Sequence, residues 1–363
     1  MEYNQIRRKS RSVKIKDITV GEGFPIAIQS MTNTDTNDSI STINQIKDLE
    51  QSGCDIVRIT VPSVESAKTI SQIKKAGVKI PIVADIHFDY KIALECIALG
   101  VDKIRINPGN IGEDWKVKEV VSACKSEGVP IRIGVNGGSL EKHILEKYKK
   151  PTAEALAESA FYHLELLEKN GFSNSIVSVK SSNAREMINA NRIIAKSCDY
   201  PIHLGVTEAG DNYSGLIKSS VGIGSLLCDG IGDTIRVSLT ADPLEEIKAG
   251  KELLSSLGFY TKGSVQIVSC PTCGRTKINL IELSKKLKSE IESLDTNGKT
   301  LKVALMGCVV NGPGEAKECD IGVAGGVGEA VLFKKGKIIR KIDENIIISV
   351  LREEIERMIS ENE

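Results

Sequence analysis

The stretch Lys103-Ile-Arg-Ile-Asn-Pro-Gly109 places an arginine between β-branched residues and ends in a turn sequence. Ile104 and Ile106 favour a β-strand, and Asn-Pro-Gly is a strong signal for a turn. Short apolar runs of this kind are typical of parallel strands that are buried on both faces. Because a buried cation without a partner is costly, Arg105 indicates either an ion pair or a binding site.

The same succession of apolar run, turn and helical pattern recurs along the first two-thirds of the chain. One helical pattern covers Ser39 to Gly53, where four apolar residues from Ile40 to Leu49 are spaced to share one face. Eight such units in roughly 250 residues match the usual size of a TIM barrel. The strand candidates are Pro25–Met31, Asp55–Val61, Ile80–His87, Lys103–Asn107, Pro130–Asn136, Ile176–Ser181, Ile202–Thr207 and Asp233–Leu239.

We therefore predict an α/β fold, with a TIM (β/α)8 barrel over residues 1–260 and a small α+β domain over residues 261–363. A doubly wound open sheet is the main alternative, and it normally shows a G-x-G-x-x-G turn for nucleotide binding. Gly222-Ile-Gly224 lacks the third glycine, and the glycine-rich loop from Gly322 to Gly328 is out of register. A Rossmann dehydrogenase is disfavoured for this reason.

Composition excludes several classes of partner. The formal net charge is zero and aromatic residues make up 4% of the chain, so neither a global field nor a stacking surface favours nucleic acid. The start of the sequence is polar and basic, and no apolar window is long enough for a membrane span. The nine cysteines are an odd number, mostly placed singly in apolar stretches. They indicate reduced thiols and a cytoplasmic protein.

Five cations lie inside five different strand candidates. A structural ion pair would explain any one of them, but Asp85 and Glu208 are the best-placed carboxylates and are too few for all five. Guanidinium groups suit bidentate phosphate contacts and lysine adds a point charge, so we predict a diphosphate site. The sequence does not separate the cations that bind from those that balance carboxylates. The five are Arg58, Arg105, Arg132, Lys180 and Arg236.

Other polar residues fall at strand ends, where barrel enzymes carry their active sites. Asn107, Asn136 and Ser238 can orient hydroxyls or phosphate oxygens of the substrate. Glu208 follows the seventh strand and is a candidate proton donor. Asp85 and His87 could hold a metal, but only one more histidine, His203, lies in a strand candidate. We therefore assign Asp85 and His87 to substrate binding.

Cysteine spacing is the strongest signal beyond the linker at Gly258 to Ser264. Cys270-Pro-Thr-Cys273 can bring two thiolates to one metal centre, and Cys308 follows in a glycine-rich loop. A redox dithiol would not need Cys308, whereas zinc would need a fourth ligand, which Cys319 could supply. An iron–sulfur cluster uses cysteine thiolates, and Glu315 could provide a non-cysteine position. We favour the cluster over zinc.

These motifs together resemble one family, the bacterial two-domain 4-hydroxy-3-methylbut-2-en-1-yl diphosphate synthases of the methylerythritol phosphate route to isoprenoids. The resemblance covers nearly the whole chain, and its last two motifs are highly specific. The motifs are Gln29-Ser-Met-Thr32, Asp85-Ile-His87, Arg105-Ile-Asn-Pro-Gly109, Cys270-Pro-Thr-Cys-Gly-Arg275 and Met306-Gly-Cys-Val-Val-Asn-Gly-Pro-Gly-Glu315.

The resemblance implies an oxidoreductase that opens and dehydrates 2-C-methyl-D-erythritol 2,4-cyclodiphosphate. It implies a 4Fe–4S cluster on Cys270, Cys273, Cys308 and Glu315, with single electrons from flavodoxin or ferredoxin. It also implies a homodimer in which the cluster domain of one chain closes over the barrel of the other. Two alternatives stay open at this point: a dihydropteroate synthase-type barrel with a zinc domain, and a non-enzymatic iron–sulfur sensor or electron carrier.

Overall fold

The computed structural model describes residues 7–292, 294–310 and 312–361. The chain divides into two units, Met1–Phe259 and Tyr260–Glu363. The strands of the first unit are β1 Val13–Ile15, β2 Ile18–Val20, β3 Ala27–Met31, β4 Ile56–Thr60, β5 Ile82–Asp85, β6 Lys103–Ile106, β7 Ile131–Asn136, β8 Ser175–Lys180, β9 His203–Leu204 and β10 Thr234–Ile235.

Eight of these strands form a parallel barrel. Their order is β8-β7-β6-β5-β4-β3-β10-β9, and a bridge between Val177 and Ile202 joins β8 to the segment that leads into β9. The predicted TIM barrel is confirmed. Seven predicted segments contain their strand, and the eighth, Ile176–Ser181, overlaps β8, which begins one residue earlier at Ser175. Ile202–Thr207 and Asp233–Leu239 are much shorter than expected. Beyond Leu204, Gly205 packs closely against Lys180 and Arg236, and a Cβ on Gly205 would lie 2.7 Å from Lys180 Nζ.

Helices follow the strands around the barrel. Side-chain caps start many of them, as when Asp38 accepts from the Ser41 amide at the start of the first helix. That helix was predicted from Ser39, but Ile40 is 73% exposed, because Thr42, Ile46 and Leu49 form its buried face. The helices are α1 Ser39–Gln51, α2 Val64–Lys75, α3 Tyr90–Ala98, α4 Pro108–Ile111, α5 Asp114–Glu127, α6 Lys142–Tyr148, α7 Ala153–Lys169, α8 Ala184–Ser197, α9 Asn212–Cys228 and α10 Pro243–Ser256, with a 3-10 turn at Gly137–Ser139.

An antiparallel hairpin that the sequence analysis missed closes the amino-terminal end of the barrel. β1 pairs with β2, and Val13, Ile15 and Val20 are buried against residues at the starts of barrel strands, including Ala27 and Ile56. The alternation of Val13 and Ile15 with lysines is a strand pattern. The general polarity of this stretch concealed it. The hairpin seals one end, so the opposite end carries the open cavity.

The second unit is a five-stranded mixed sheet. β11, β12 and β13 are parallel, and β14 and β15 continue the sheet antiparallel. Two helices and the sheet enclose one apolar core, and a smaller core that includes Ala316 and Phe333 lies beside the shortest helix. The predicted small α+β fold is confirmed. Its elements are β11 Ser264–Ser269, α11 Leu280–Ile291, β12 Thr300–Met306, α12 Gly312–Glu315, β13 Ile321–Gly325, β14 Glu329–Lys334, β15 Lys337–Asp343, a 3-10 turn at Glu344–Ile346 and α13 Ile347–Ser360.

No helix among the described residues of either unit has the length and apolarity that a membrane crossing requires.

Candidate active site

A cavity of about 780 Å³ opens at the carboxyl ends of the barrel strands. This is the end at which TIM barrels carry their chemistry. Eleven of the barrel residues singled out in the sequence line it: Arg58, Asp85, His87, Arg105, Asn107, Arg132, Asn136, Lys180, Glu208, Arg236 and Ser238. The fold therefore brings together side chains from seven strands that are up to 180 positions apart in the sequence.

Strand register explains why the charges meet at one level. Asp85 of β5 lies opposite Arg105 of β6, which lies opposite Arg132 of β7. Gly134 makes room for this arrangement, since a Cβ there would lie 2.2 Å from Arg105 Nε. Arg105 Nη2 donates to the Gly134 carbonyl at 2.6 Å, and the Gly134 amide donates to Asn107 Oδ1 at 2.9 Å.

Asp85 holds two of the arginines. Its carboxylate lies 3.2 Å from Arg105 Nη1 and 3.8 Å from Arg58 Nε. Burial would raise the pKa of Asp85, but Arg58 and Arg105 outweigh it and hold that pKa below its usual value. Burial lowers the pKa of Arg58 to about 10, which leaves the guanidinium charged at neutral pH. Asp85 is thus a carboxylate that orients cations, and it stays ionised.

Arg236 has a carboxylate partner that the sequence analysis missed. Glu246, in the first turn of α10, accepts from Arg236 Nε at 3.0 Å and from Nη2 at 2.9 Å. Ser30 Oγ also donates to Glu246, at 2.8 Å. In the sequence, Glu208 is a candidate proton donor, and its alternative role is to balance the arginines. Glu208 forms no ion pair with the cavity cations among the residues that the structure describes, because its side chain is exposed at the rim.

The backbone at Glu208 has φ of 51°, in the left-handed region that non-glycine residues seldom adopt. Strained residues of this kind cluster at functional sites, where the surrounding structure holds them. The conformation keeps Glu208 on the cavity lining. Proton donation by Glu208 remains a prediction.

Arg132 and Lys180 have no carboxylate within ion-pair distance in the described part of the chain. Arg132 is 1% exposed and its Nε and Nη1 lack any hydrogen-bond partner there, while Lys180 is 6% exposed. Burial, together with the neighbouring cations, lowers the pKa of both groups. Unpaired cations in such a place are costly, and an anion in the cavity would offset that cost.

The two histidines of the strand candidates, His87 and His203, differ in their surroundings. His87 lines the cavity at an exposed rim position. His203 is fully buried, its Nδ1 lies 2.7 Å from Thr234 Oγ1, and burial lowers its pKa far below the usual value. Lys103, also fully buried, was not singled out in the sequence. Burial and the nearby Arg132 lower its pKa, and its Nζ has no partner among the described residues.

A buried histidine links two loops of the cavity. The Gly109 amide donates to His163 Nδ1 at 3.1 Å, which leaves the ring proton on Nε2, 2.7 Å from Glu141 Oε1. Gly109 follows Asn107 of the cavity, and Glu141 follows the cavity-lining turn at Gly137–Ser139. Burial would raise the pKa of Glu141, but the neighbouring His163 and Ser159 outweigh it and lower that pKa. The sequence analysis missed this link.

In the second unit, two neighbouring parallel strands deliver the cysteine motifs. Ser269 of β11 lies opposite Leu305 of β12, so Cys270 and the loop with Cys308 leave the same edge of the sheet. The Gly307 amide donates to Cys270 Sγ at 3.3 Å, and the Lys277 amide donates to the Gly307 carbonyl at 2.9 Å. These bonds tie the two loops together.

The thiols differ in character. A backbone hydrogen bond from Arg275 lowers the pKa of the exposed Cys273, whereas burial raises the pKa of Cys319. Cys319 packs in the smaller core with Met306 and Phe333, which disfavours it as the fourth ligand of a zinc site.

Glu315 ends α12 and is exposed, while Asn311 of the same motif lies outside the described residues. Across residues 7–292, 294–310 and 312–361, no three His, Cys, Asp or Glu side chains stand together as a metal-binding group. The adjoining loops and soft thiol donors fit an iron–sulfur cluster. The cysteine and glutamate side chains would have to draw together around it.

Two family descriptions cover most of the chain. Residues 10–251 match the GcpE TIM-barrel domain and residues 266–357 match the GcpE protein C-terminal domain. The chain belongs to the GcpE family. A relative from Ruminiclostridium cellulolyticum is 54% identical over 352 residues, with 97% of this chain and 98% of the relative covered. One from Clostridium acetobutylicum is 55% identical over 352 residues, with 97% and 99% covered. Both are named 4-hydroxy-3-methylbut-2-en-1-yl diphosphate synthase (flavodoxin).

A comparison with a solved structure bears on the fold of the barrel and on nothing else. Type I 3-dehydroquinate dehydratase from Clostridium difficile superposes with a TM-score of 0.50 at 15% identity, over 68% of this chain and 98% of that chain. The family match across both units sets aside the alternative of a dihydropteroate synthase-type barrel with a zinc domain.

Proposed function

We propose that this chain reduces 2-C-methyl-D-erythritol 2,4-cyclodiphosphate to 4-hydroxy-3-methylbut-2-enyl diphosphate in isoprenoid biosynthesis. The reaction takes up two electrons and two protons, opens the cyclic diphosphate at a carbon–oxygen bond, and releases one hydroxyl as water. The observation that carries the proposal is the pair of buried, carboxylate-free cations, Arg132 and Lys180, in a cavity of a chain whose relatives bear this enzyme's name.

The cavity cations would divide the work of binding. Arg132 and Lys180 have no carboxylate within ion-pair distance among the described residues, so they would grip the diphosphate most strongly. Arg58, Arg105 and Arg236 are already oriented by Asp85 and Glu246, and their remaining N–H groups add directed contacts. The roles of the neutral residues follow from their donors and acceptors: hydrogen bonds to hydroxyls and ester oxygens would come from His87, Asn107, Asn136 and Ser238.

Glu208 would supply a proton to the departing hydroxyl. Its carboxyl group lies at the exposed rim of the cavity, where it can exchange protons with solvent between turnovers. The left-handed backbone at this residue directs the chain along the rim. Asp85 is unsuited to the same task, because its neighbours keep it ionised.

Cys270, Cys273, Cys308 and Glu315 would hold a 4Fe–4S cluster. When bound, the cluster supplies electrons one at a time to the carbon–oxygen bond that breaks. The three thiolates would be strong ligands for iron, and the carboxylate of Glu315 would be a weaker, more exchangeable one. The amide of Gly307, which donates to Cys270 Sγ, stabilises negative charge on that sulfur.

The electron donor would be flavodoxin, with ferredoxin as the alternative, and the enzyme would act in the cytoplasm. We further propose a homodimer in which the cluster domain of one chain serves the barrel of its partner. An exposed apolar row on α9 supports self-association, since Tyr213, Ile217 and Val221 are 77%, 49% and 53% exposed at helical spacing.

The test begins with iron, zinc and acid-labile sulfide in anaerobically purified protein. We expect about four irons and four sulfides per chain, and conversion of the cyclic diphosphate by dithionite with methyl viologen, followed by phosphorus NMR. One zinc and no sulfide after anaerobic reconstitution would contradict the proposal. In Glu315→Gln, we expect the cluster to remain and turnover to slow; unchanged turnover would remove Glu315 from the mechanism.

A further inference from the structure

A strongly basic hairpin in the second unit has no part in the mechanism above. Its sequence is Lys334-Lys-Gly-Lys-Ile-Ile-Arg-Lys341, with five cations in eight residues and no carboxylate. The chain as a whole has a formal net charge of zero, so this is a local concentration of charge. We call residues 334–341 the basic hairpin. It consists of the end of β14, a turn at Lys335-Gly336, and the first part of β15.

The basic hairpin is open to solvent. Lys335, Lys337 and Arg340 are exposed, and no ion pair joins them to a carboxylate anywhere in the described part of the chain. Only Lys341, at the far end, is paired, with Glu329 at 2.5 Å. Lysines on an edge strand often serve to prevent strand pairing. That role does not account for Ile338 and Ile339 beside them, which are 65% and 50% exposed.

The turn of the hairpin adjoins the loop that carries Glu315. A Cβ on Gly336 would lie 3.1 Å from Lys317 Cβ and 3.5 Å from the Pro313 carbonyl. The Lys335 amide donates to the Cys319 carbonyl at 3.2 Å. Lys317 is itself exposed and extends the basic surface. The turn of the basic hairpin therefore lies beside residues 313–319, the segment that carries Glu315.

We propose that the basic hairpin, together with Lys317, is the docking surface for the acidic face of the one-electron carrier that reduces the cluster. This rests on the function proposed above and adds the place where the carrier binds. Electron-transfer complexes bury little area and exchange quickly, so charge complementarity and a small apolar centre suit them. Opposite charges also raise the association rate, which helps a reaction that needs two separate one-electron deliveries.

The test uses the holoenzyme with two electron sources. Lys335→Glu/Lys337→Glu reverses the charge of the hairpin. Lys285→Glu/Lys288→Glu is the matched control, because both lysines are exposed on α11, which packs near β11 and β12, away from the edge strand β15. Turnover is measured with reduced flavodoxin and, separately, with dithionite and methyl viologen. Flavodoxin affinity is titrated calorimetrically at low salt.

We expect the hairpin variant to lose about tenfold in flavodoxin affinity and in kcat/KM for flavodoxin. Its turnover with dithionite and the behaviour of the control variant should match the wild type. Equal losses in both variants, or no loss in either, would overturn the docking site. Binding of the wild type, and not of the variant, to phosphatidylglycerol vesicles instead of flavodoxin would replace the carrier with a membrane surface. Wild-type protein that turns over with neither donor would refute the proposed function, while the titration would still decide the docking site.

Discussion

The cavity at the carboxyl ends of the barrel strands, here called the barrel mouth, and the loops that carry Cys270, Cys273 and Cys308 differ in how far the folded chain alone fixes their geometry. In the mouth, Asp85 lies 3.2 Å from Arg105, and Glu246 lies 2.9 Å from Arg236. In the second unit, Cys273 and Glu315 are exposed, and no metal-binding group of three side chains is assembled in the described residues. Folding thus prepares the proposed substrate site in advance, whereas the proposed cluster site would need its metal to complete it.

The largest effect expected from this difference follows the replacement of a cysteine. Cys308→Ser should abolish cluster binding and turnover completely, because a serine hydroxyl is a poor ligand for iron. The barrel is built without the metal, so affinity for the substrate should equal that of cluster-free wild type. Iron and sulfide content, activity and calorimetric binding measure the three quantities.

Cys228→Ser is the control for the cysteine variant, since Cys228 is an exposed thiol on α9. It should keep full iron content and activity. Near-normal iron and turnover in Cys308→Ser would show that Cys308 is not a ligand. Loss of substrate binding in that variant would show that the two regions are less independent than their geometry indicates.

A second prediction separates cations within the mouth. Arg132→Met should weaken substrate binding about 100-fold, because two charge-assisted hydrogen bonds are lost. The same change should leave the free energy of unfolding unchanged or raise it by about 1 kcal/mol, because it removes a buried cation that has no ion-pair partner among the described residues. Arg105→Met should weaken binding similarly but lower that free energy by about 3 kcal/mol, since it breaks a buried pair with Asp85.

Denaturant unfolding and calorimetry on both variants decide the point. If Arg132→Met destabilises the barrel as much as Arg105→Met, then Arg132 has an internal partner and is not reserved for the substrate. If neither variant changes substrate affinity, the cavity cations serve the fold alone. The comparison also shows why Arg105 is the weaker choice for testing substrate binding by itself.

The sequence predicted those features that depend on local pattern. Ile and Val runs revealed all eight barrel strands, and the spacing of Cys270, Cys273 and Cys308 indicated a metal centre. Short runs such as Val13–Ile15 were missed because three residues give little periodicity. β9 and β10 proved shorter than predicted. Single backbone hydrogen bonds continue beyond them, as from the Thr207 amide to the Ser181 carbonyl at 3.3 Å, and no pattern along one strand reveals where regular pairing gives way to such single bonds.

At the site, the sequence analysis mainly missed residues of other helices that contact the cavity residues. Glu246 belongs to a helix start, where a carboxylate is ordinarily read as favourable to the helix dipole, so nothing marked it as the partner of Arg236. His163 lies 54 positions from Gly109 inside an amphipathic helix pattern. Such residues become visible only when the tertiary fold brings their elements together, which is why sequence reasoning named the lining of the cavity but not its supports.

The smallest effect concerns one of these supports. His163→Leu removes both the acceptor for the Gly109 amide and the imidazole nitrogen that lies 2.7 Å from Glu141, so the two cavity loops lose their link. We expect KM for the substrate to rise about tenfold while kcat changes less, because displaced loops weaken binding more than they alter the bond that breaks. A purely structural role would reduce the yield of folded protein and leave KM unchanged in what folds.

Two conservative variants divide the link, and His163→Asn is expected to be the milder. Asparagine Oδ1 can accept from the Gly109 amide as Nδ1 does, whereas glutamine can only reach toward Glu141. Gly109 lies between Asn107 and Asn110, which both line the cavity. His163→Asn should therefore restore most of the lost affinity, and His163→Gln should restore little of it. His143→Gln is the control, since His143 is exposed and packs edge-on against Tyr162. If His163→Gln restores more affinity than His163→Asn, the loss of affinity comes from the loop that carries Glu141. An unchanged KM in all variants would show that the strands alone fix the geometry of the cavity.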